Sequence, residues 1–220
     1  MGTESYGMNE ETFTPDKLIA GSGDKIVTES ATLLSGENRA RGTLLGKVTQ
    51  GAVTEAHAGN TGNGVMTPDA TTPRLAGCQI GAYKAVCITA VENGGIFRVS
   101  DPKGNVLGDV AVGGTFADQI KFVIADGSTD FIVGDTFTIT VAAGSGSRKM
   151  SVAAALDGSQ DPDSILTKDT DASGGDVVTG VYIAGEFNEN AITFGAGHTA
   201  DSVREALRLK GIHLKEGVAA

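Results

Sequence analysis

The sequence predicts a mainly β protein with a single helix near its C-terminus. Several segments alternate apolar and polar residues with period two, and turn-forming residues separate them at intervals of about 8 to 15 residues. Helical periodicity occurs in only one stretch. Glycine supplies 32 of 220 residues, about 15% against the ~7% usual in globular proteins. We therefore expect antiparallel sheets joined by turns, in a sandwich or a barrel.

The N-terminal part predicts an arm followed by two strands. Residues 1–12 are polar and acidic without periodicity, which is typical of an arm that orders only when it docks. β-type segments follow at Lys25–Thr28 and Thr43–Val48, with turn residues at Ser35–Asn38 between them, and we expect these two strands to pair. Residues 51–77 hold few large apolar side chains and indicate a long connection.

The middle of the chain carries the strongest strand pattern. A first strand is predicted at Ala82–Thr89. The segment Ile96–Val112 has the turn Asp101–Asn105 at its centre, with proline and glycine at turn positions, and this predicts a hairpin. Two alternating strands follow at Ile120–Ile124 and Thr136–Val141.

The C-terminal part combines a linker, a strand and the helix. Ala143–Ser147 is rich in glycine and serine and predicts a flexible hinge. Val177–Ile183 reads as a strand. The helix is predicted from Thr199 to Lys210, because it has a threonine N-cap, acidic residues early, basic residues late and a glycine at its exit.

Charge and hydropathy exclude several classes of partner. Acidic residues outnumber basic ones by 27 to 17, and the formal charge of −10 repels nucleic acid and anionic lipid. The longest apolar run, Val152–Leu156, cannot span a membrane. The first residues lack an export signal. Cys78 and Cys87 are expected to be small core residues without a disulfide.

The motifs that resemble catalytic or cofactor sites are all incomplete. Gly195–Ala200 has the G-x-G-x-x-A spacing of a dinucleotide loop before the helix, after a short predicted strand at Ala191–Phe194, but no further βα units follow it. Gly42–Val48 lacks the spacing of a phosphate loop, and Asp169–Gly174 lacks the closing acid of a calcium loop. We therefore expect no catalytic residue, no cofactor and no metal site, with a dinucleotide-binding enzyme kept as an alternative.

Several strings in the outer parts of the chain resemble one known family. These strings are Leu33–Thr49, Ala154–Gln160, Ile165–Leu166, Asp169–Ala172, Val181–Glu189, the terminal helix and Gly211–Ile212. They occur in the order found in the head decoration proteins of tailed bacteriophages, the lambda capsid-stabilising protein D family, which the chain therefore resembles.

The resemblance implies a division of the chain into domains. Residues 13–50 and 147–220 are expected to form one discontinuous head-decoration domain, a lambda-D-like β domain with one C-terminal helix. Residues 51–146 depart from the family pattern and are expected to form an antiparallel β-sandwich-like insertion in a surface loop.

The resemblance also implies a function. Family members coat the outer surface of the assembled capsid as trimers and stabilise it against internal DNA pressure. We accordingly expect a structural virion protein, not an enzyme, made in the host cytoplasm. Its partners are the major capsid protein and itself as a homotrimer, without direct contact to nucleic acid or membrane. A glycan- or host-surface-binding module at residues 51–146 remains an alternative.

Two groups of residues are expected to make these contacts. In the arm, extended here to about residue 20, the larger side chains Tyr6, Met8, Phe13 and Ile19 are candidate anchors on the capsid, since strand addition gives each a pocket. The trimer implied by the resemblance places Glu186, Phe187, Asn188 and Glu189 and the C-terminal helix near subunit contacts. For Phe187 the alternative is a core residue.

Overall fold

The computed structural model describes residues 17–21 and 25–216, and its architecture is mainly β. In these residues it has sixteen strands and one α-helix, which confirms the predicted fold class with one helix near the C-terminus. The elements are β1 (Val27–Leu33), β2 (Asn38–Arg39), β3 (Leu44–Lys47), β4 (Gln50–Ala56), β5 (Val65–Pro68), β6 (Gly81–Val91), β7 (Gly94–Ser100), β8 (Val106–Ala111), β9 (Thr115–Ala117), β10 (Lys121–Ala125), β11 (Thr136–Ala143), β12 (Arg148–Met150), β13 (Pro162–Leu166), β14 (Thr170–Asp171), β15 (Val177–Asn188), α1 (Ala200–Leu209) and β16 (Ile212–Lys215).

The strands sort into two units with separate apolar cores. We call β1–β3, β12–β16 and α1 the body, and β4–β11 the middle unit. One buried cluster draws all its members from Met66 to Val141. Two other clusters draw theirs from residues before Gln50 and after Ser147. Each unit therefore has an apolar core of its own.

The body is a small barrel with a helix packed on its outside. Its strands run in the order β1-β12-β3-β13-β15, and β15 pairs back onto β1 to close the sheet. Neighbouring residues of a strand face opposite sides, so Leu45 on β3 joins the cluster inside the barrel while Leu44 joins the cluster under the helix. Val203 and Leu207 of α1 complete that outer cluster. The helix begins at the predicted N-cap, Thr199, which forms a capping box with Ser202.

The first two predicted strands do not pair directly, so that prediction is wrong. β12 lies between them, parallel to β1 and antiparallel to β3. β12 has only three residues, so it gives no period-two signal of its own, and it is distant in sequence from both β1 and β3. Its side chain Arg148 is 9% exposed. Arg148 donates to Glu29 Oε1 at 2.7 Å, to Ser164 Oγ at 2.9 Å and to Asp163 Oδ1 at 3.2 Å, and so ties β12 to β1 and β13.

The middle unit consists of two antiparallel sheets around one core. The orders are β4-β11-β6-β7-β8 and β5-β10-β9, and the predicted hairpin is present as β7 and β8. The long connection predicted at residues 51–77 is wrong in part, because it contains β4 and β5. β4 offers mainly small or polar side chains, and its backbone is held as a strand by the ladder to β11.

The chain passes between the two units twice, at one place that we call the neck. Gly144 N donates to Thr49 O at 2.8 Å, and Gly146 N donates to Val48 O at 3.0 Å. Val48 N in turn donates to Ser147 O at 2.9 Å. The flexible hinge predicted at Ala143–Ser147 is therefore a hydrogen-bonded ladder in the structure.

Other segments reinforce the neck from both sides. From the body, Asp157 O accepts hydrogen bonds from Thr49 N and Gln50 N. From the middle unit, the Arg74 guanidinium donates to the carbonyls of Gln50 and Gly51. We propose that residues 51–146 form a domain inserted into the body at this neck, because its two ends are adjacent and its core is its own.

This division predicts that stability losses stay within one unit. Arg148→Met leaves Asp163 and Glu29 without their cation in the body, and we expect it to lower the body's free energy of unfolding by about 2–3 kcal/mol. Asp135 accepts hydrogen bonds from Thr61 N, Gly62 N and Ile132 N in the middle unit. Asp135→Asn replaces one acceptor oxygen by a donor and should cost that unit about 1–3 kcal/mol.

Calorimetry of the full chain with hydrogen-exchange assignment of each transition measures both effects. We expect Arg148→Met to shift only the transition of the body and Asp135→Asn only that of the middle unit. Equal shifts of both units by either variant contradict the inserted-domain proposal.

Candidate functional site

The predicted subunit-contact residues lie where β15 changes its partners. Up to Ala184, β15 pairs with β1, and from Gly185 to Asn188 it pairs in parallel with β16. Gly185 has a φ of 146°, and a Cβ there would meet the Phe187 ring at 3.0 Å. A glycine is therefore required at the point where the strand turns from one partner to the other.

Phe187 is a core residue of the protomer. It is fully buried, and its ring centroid lies 5.1 Å from that of Tyr182. It belongs to the cluster under α1, together with Leu18, Val203 and Leu207. The alternative weighed for Phe187 from the sequence is thus what the structure shows, and its side chain is not presented to a neighbouring subunit in this conformation.

The polar neighbours of Phe187 have partners within the same chain. Glu186 contacts Lys215 Nζ at 3.0 Å and Lys25 Nζ at 3.9 Å, and the hydrogen bond from Lys215 holds the pKa of the Glu186 carboxyl below its ordinary value. Glu189 Oε2 accepts from Arg204 Nη2 at 2.7 Å, which links the end of β15 to α1. Sequence reasoning missed these cations, because ion pairs between distant segments leave no periodic signal.

The segment before residue 21 is attached to the same place. Asn188 N donates to Leu18 O at 2.8 Å, and Ala20 N donates to Glu186 O at 3.0 Å, so Lys17–Ala20 runs antiparallel to the end of β15. Ile19 forms a bridge with Phe187, and Leu18 is 3% exposed in the core. The other predicted anchors, Tyr6, Met8 and Phe13, lie outside the described residues.

The candidate site is therefore the end of β15 with the segment that docks on it. Glu186–Glu189, Lys17–Ala20, β16 and α1 form one connected surface, from which residues 1–16 continue. The apolar pair Leu18–Ile19 after a polar stretch was the signal in the sequence for this attachment. Glu186, Asn188 and Glu189 are partly exposed there, so the arrangement offers polar side chains for contact with another polypeptide.

The dinucleotide-like motif Gly195–Ala200 has a packing explanation. The predicted strand Ala191–Phe194 is replaced by a 3-10 turn over Glu189–Ala191 and a single bridge from Thr193 to Thr43. The backbone at Gly195 lies against Ser151 O, and a Cβ on Gly197 would lie 2.9 Å from that of Ala153. The two glycines therefore let the chain cross the body closely.

A serine–histidine pair in the body belongs to a local hydrogen-bond network. Ser151 Oγ lies 3.1 Å from His198 Nε2. Ser151 is fully buried, and its hydroxyl donates to Ser159 O at 2.8 Å. The buried hydroxyl is thus held by a backbone carbonyl, which gives this pair a structural explanation.

Residues 17–21 and 25–216 show neither a candidate metal cluster nor a membrane-spanning helix. They contain no group of three or more His, Cys, Asp or Glu side chains that could hold a metal ion. Within the same residues no helix has the length and apolar character needed to cross a bilayer.

Comparisons with known proteins place the chain. The family model "Bacteriophage lambda head decoration protein D" matches residues 7–212. Two crystal structures of FlgL from Xanthomonas campestris, in space groups H3 and C2, match with 20% and 19% identity and a TM-score of 0.31. Each match covers 47% of this chain and 33% of the FlgL chain, so this chain spans about a third of the length of FlgL. A TM-score this low does not establish a shared fold. No curated protein matches the chain.

The family match extends over most of the sequence and includes both halves of the body and the middle unit. It confirms the resemblance seen in Leu33–Thr49 and in the segments after residue 147. The chain therefore belongs to the bacteriophage lambda head decoration protein D family, a structural family associated with the phage capsid.

Proposed function

We propose that this protein binds the outer surface of the assembled phage capsid as a homotrimer and stabilises the shell against the pressure of packaged DNA. The observation that carries the proposal is the family match over residues 7–212. The body supports it, because its barrel and helix are built from the segments in which the sequence resembles the family.

Charge favours the outside of the shell over the inside. The chain carries a formal charge of −10, which repels the phosphates of packaged DNA. On the outer surface that repulsion is absent, and the partner is the major capsid protein. The protein stabilises the shell there when one copy, or one closed ring of copies, contacts several capsid subunits at once.

A trimer fits this task because a closed ring can use one heterologous contact three times at a three-fold position. The end of β15, the 3-10 turn after it and α1 are the part of the body from which we expect the ring contacts to come. Glu186, Asn188 and Glu189 lie there with partially exposed side chains. Phe187 is not among the residues proposed for the subunit contact, because its ring is buried in the body.

The proposal predicts saturable binding to expanded heads. Purified protein is mixed with expanded heads that lack decoration, and bound protein is measured by co-sedimentation at micromolar concentration. We expect occupancy to saturate in multiples of three copies, and DNA-filled heads with bound protein to survive heating that bursts undecorated heads.

A control uses unexpanded procapsids, on which the neighbouring subunits have a different arrangement. No binding to expanded heads at micromolar concentration contradicts capsid binding. Binding as single copies, shown by mass measurement of the bound state, contradicts the trimer.

We expect the arm to contribute to capsid affinity separately from the body. Ordering it costs about 1–2 kcal/mol per residue in backbone entropy, so a single arm binds weakly, whereas three linked arms gain avidity. Deleting residues 1–12 should leave a folded trimer, because the described residues that attach the segment to β15 begin at Lys17. Capsid affinity should fall by about tenfold or more.

Substitutions inside the arm separate its anchors from its length. The triple variant Tyr6→Ser, Met8→Ser and Phe13→Ser should lose affinity as the deletion does. The matched control Glu10→Gln with Glu11→Gln should bind like the unmodified chain. If the deletion variant decorates heads as tightly as the full chain, the body surface carries the contact and the arm proposal is wrong.

A further inference from the structure

The middle unit has one end that lies far from the body. β4 leaves the neck at Gln50 and ends at Ala56, and β11 begins at Thr136 and returns to the neck at Ala143. Loops at the Ala56 and Thr136 ends of these strands therefore lie at the opposite end of the sheet from the body. We call this end the tip; it consists of residues 57–65, 91–94, 112–114 and 126–135.

The tip is held by a dense set of contacts. Phe131 is 1% exposed, and a Cβ on Gly62 or Gly64 would collide with its ring. Asp135 accepts three backbone hydrogen bonds, from Thr61, Gly62 and Ile132. Burial opposes the ionised form of this carboxyl, but hydrogen bonds from Gly62, Thr61 and Ile132 outweigh it and lower the pKa of Asp135.

Further hydrogen bonds join the separate loops of the tip. Asn63 Oδ1 accepts from Thr129 N at 2.9 Å, and Asn93 N donates to Asp130 Oδ1 at 2.9 Å. The turn at Gly113 is tied to the end of β10 by a 2.7 Å bond to Ile124 O. The loops therefore present one composite surface with a defined shape.

This ordered surface exposes aliphatic side chains. Val65, Val91, Ile132 and Val133 are 50%, 53%, 50% and 63% exposed. The neighbouring residue Phe131 and the other core side chains are buried, so the core of the middle unit does not need these four for its own packing. The loops that carry these side chains are joined by hydrogen bonds, so the tip offers exposed aliphatic side chains on an ordered surface.

The charge of the tip has one sign. Glu92, Asp126 and Asp130 are exposed, and in the described part of the chain none of them has an ion-pair partner. The ranges that define the tip contain no Lys or Arg. On adjoining strands Arg98 pairs with Asp109 and Lys121 pairs with Asp69, and within the tip the His57 ring contacts Glu55 at 2.6 Å.

We propose that the tip is a docking surface for a protein that presents aliphatic side chains bordered by Lys or Arg. The aliphatic residues supply apolar contact, and the unpaired carboxylates select a cationic rim. The same carboxylates disfavour nucleic acid, anionic membranes and a second copy of the tip. The tip contains no Tyr or Trp, and its one phenylalanine, Phe131, is buried, so the flat faces that usually bind sugars are not offered there.

Hydrogen bonds at the neck and in the tip loops favour binding at the tip. The ladder of the neck between Val48–Thr49 and Gly144–Ser147, together with the Arg74 contact, joins the two crossings of the chain. The loops of the tip are also joined by hydrogen bonds, so a partner meets an ordered surface, which reduces the entropy lost on binding. The docking surface is independent of capsid binding, since it uses no residue of the body.

The test uses the full chain and a defined probe. A fluorescein-labelled peptide of alternating Val and Lys is titrated with the protein, and fluorescence anisotropy gives the affinity. The double variant Ile132→Ser with Val133→Ser should bind this peptide about tenfold more weakly. The variant Glu92→Gln with Asp126→Asn should also weaken binding, and should flatten its dependence on salt.

Matched controls lie outside the tip. Val106 and Val178 are exposed to 59% and 70%, so Val106→Ser with Val178→Ser removes comparable exposed aliphatic surface elsewhere and should leave the affinity unchanged. Capsid occupancy of the Ile132→Ser, Val133→Ser variant should equal that of the unmodified chain, which separates this inference from the capsid function.

Three outcomes overturn the docking proposal. The first is equal peptide affinity for the tip variant and the control variant. The second is equal affinity of the unmodified chain for a peptide of alternating Val and Glu. The third is tip-dependent binding to phosphatidylglycerol vesicles or to a glycan array without tip-dependent binding to the Val–Lys peptide.

Discussion

The body can close only if the chain returns to the place where it left. β12 must enter the gap between β1 and β3, yet about a hundred residues separate it from β3, and nearly all of them belong to the middle unit. An unstructured loop of that length costs about 3 kcal/mol more to close than a turn of a few residues, at ~0.6 kcal/mol per doubling. The middle unit removes most of this cost by folding with its ends side by side, and the neck hydrogen bonds and Arg148 then hold β12 in the barrel.

The same constraint separates the two surfaces of the molecule. The end of β15, the Lys17–Ala20 segment and α1 lie on the body, the part of the chain that we propose binds the capsid. The tip lies at the far end of the middle unit. Because the two cores share no buried cluster, changes at the tip need not disturb the body, and a decoration protein can carry a second surface without losing the first.

The elements that the sequence predicts correctly are those encoded by patterns of neighbouring residues. The helix after Thr199 has its capping residues and its apolar face within a few positions, and the β7–β8 hairpin has its turn in Asp101–Asn105. β4 and β12 were missed because their strand character comes from partners distant in sequence. The flexible hinge predicted at Ala143–Ser147 is wrong, because glycine and serine occur both in flexible linkers and where two backbones pass closely, as they do here.

The candidate site was predictable only in part. The resemblance of Val181–Glu189 to the family pointed to Glu186–Glu189 as contact residues. The structure brings that segment together with Ile19 of the predicted arm. The direction of Phe187 was not predictable, since it depends on the turn of β15 at Gly185 and on the cover provided by α1. Lys25, Lys215 and Arg204, which hold the acidic residues of this segment, come from three different parts of the chain.

A cryo-electron microscopy reconstruction of expanded heads saturated with the protein tests the central claim most directly. The account predicts three copies around the three-fold positions on the outside of the shell. In it, the body contacts the capsid subunits, residues before Lys17 lie along the shell, and the middle unit points away from the surface. Density on the inner face, single copies without three-fold arrangement, or contact with the shell through the tip contradicts the account.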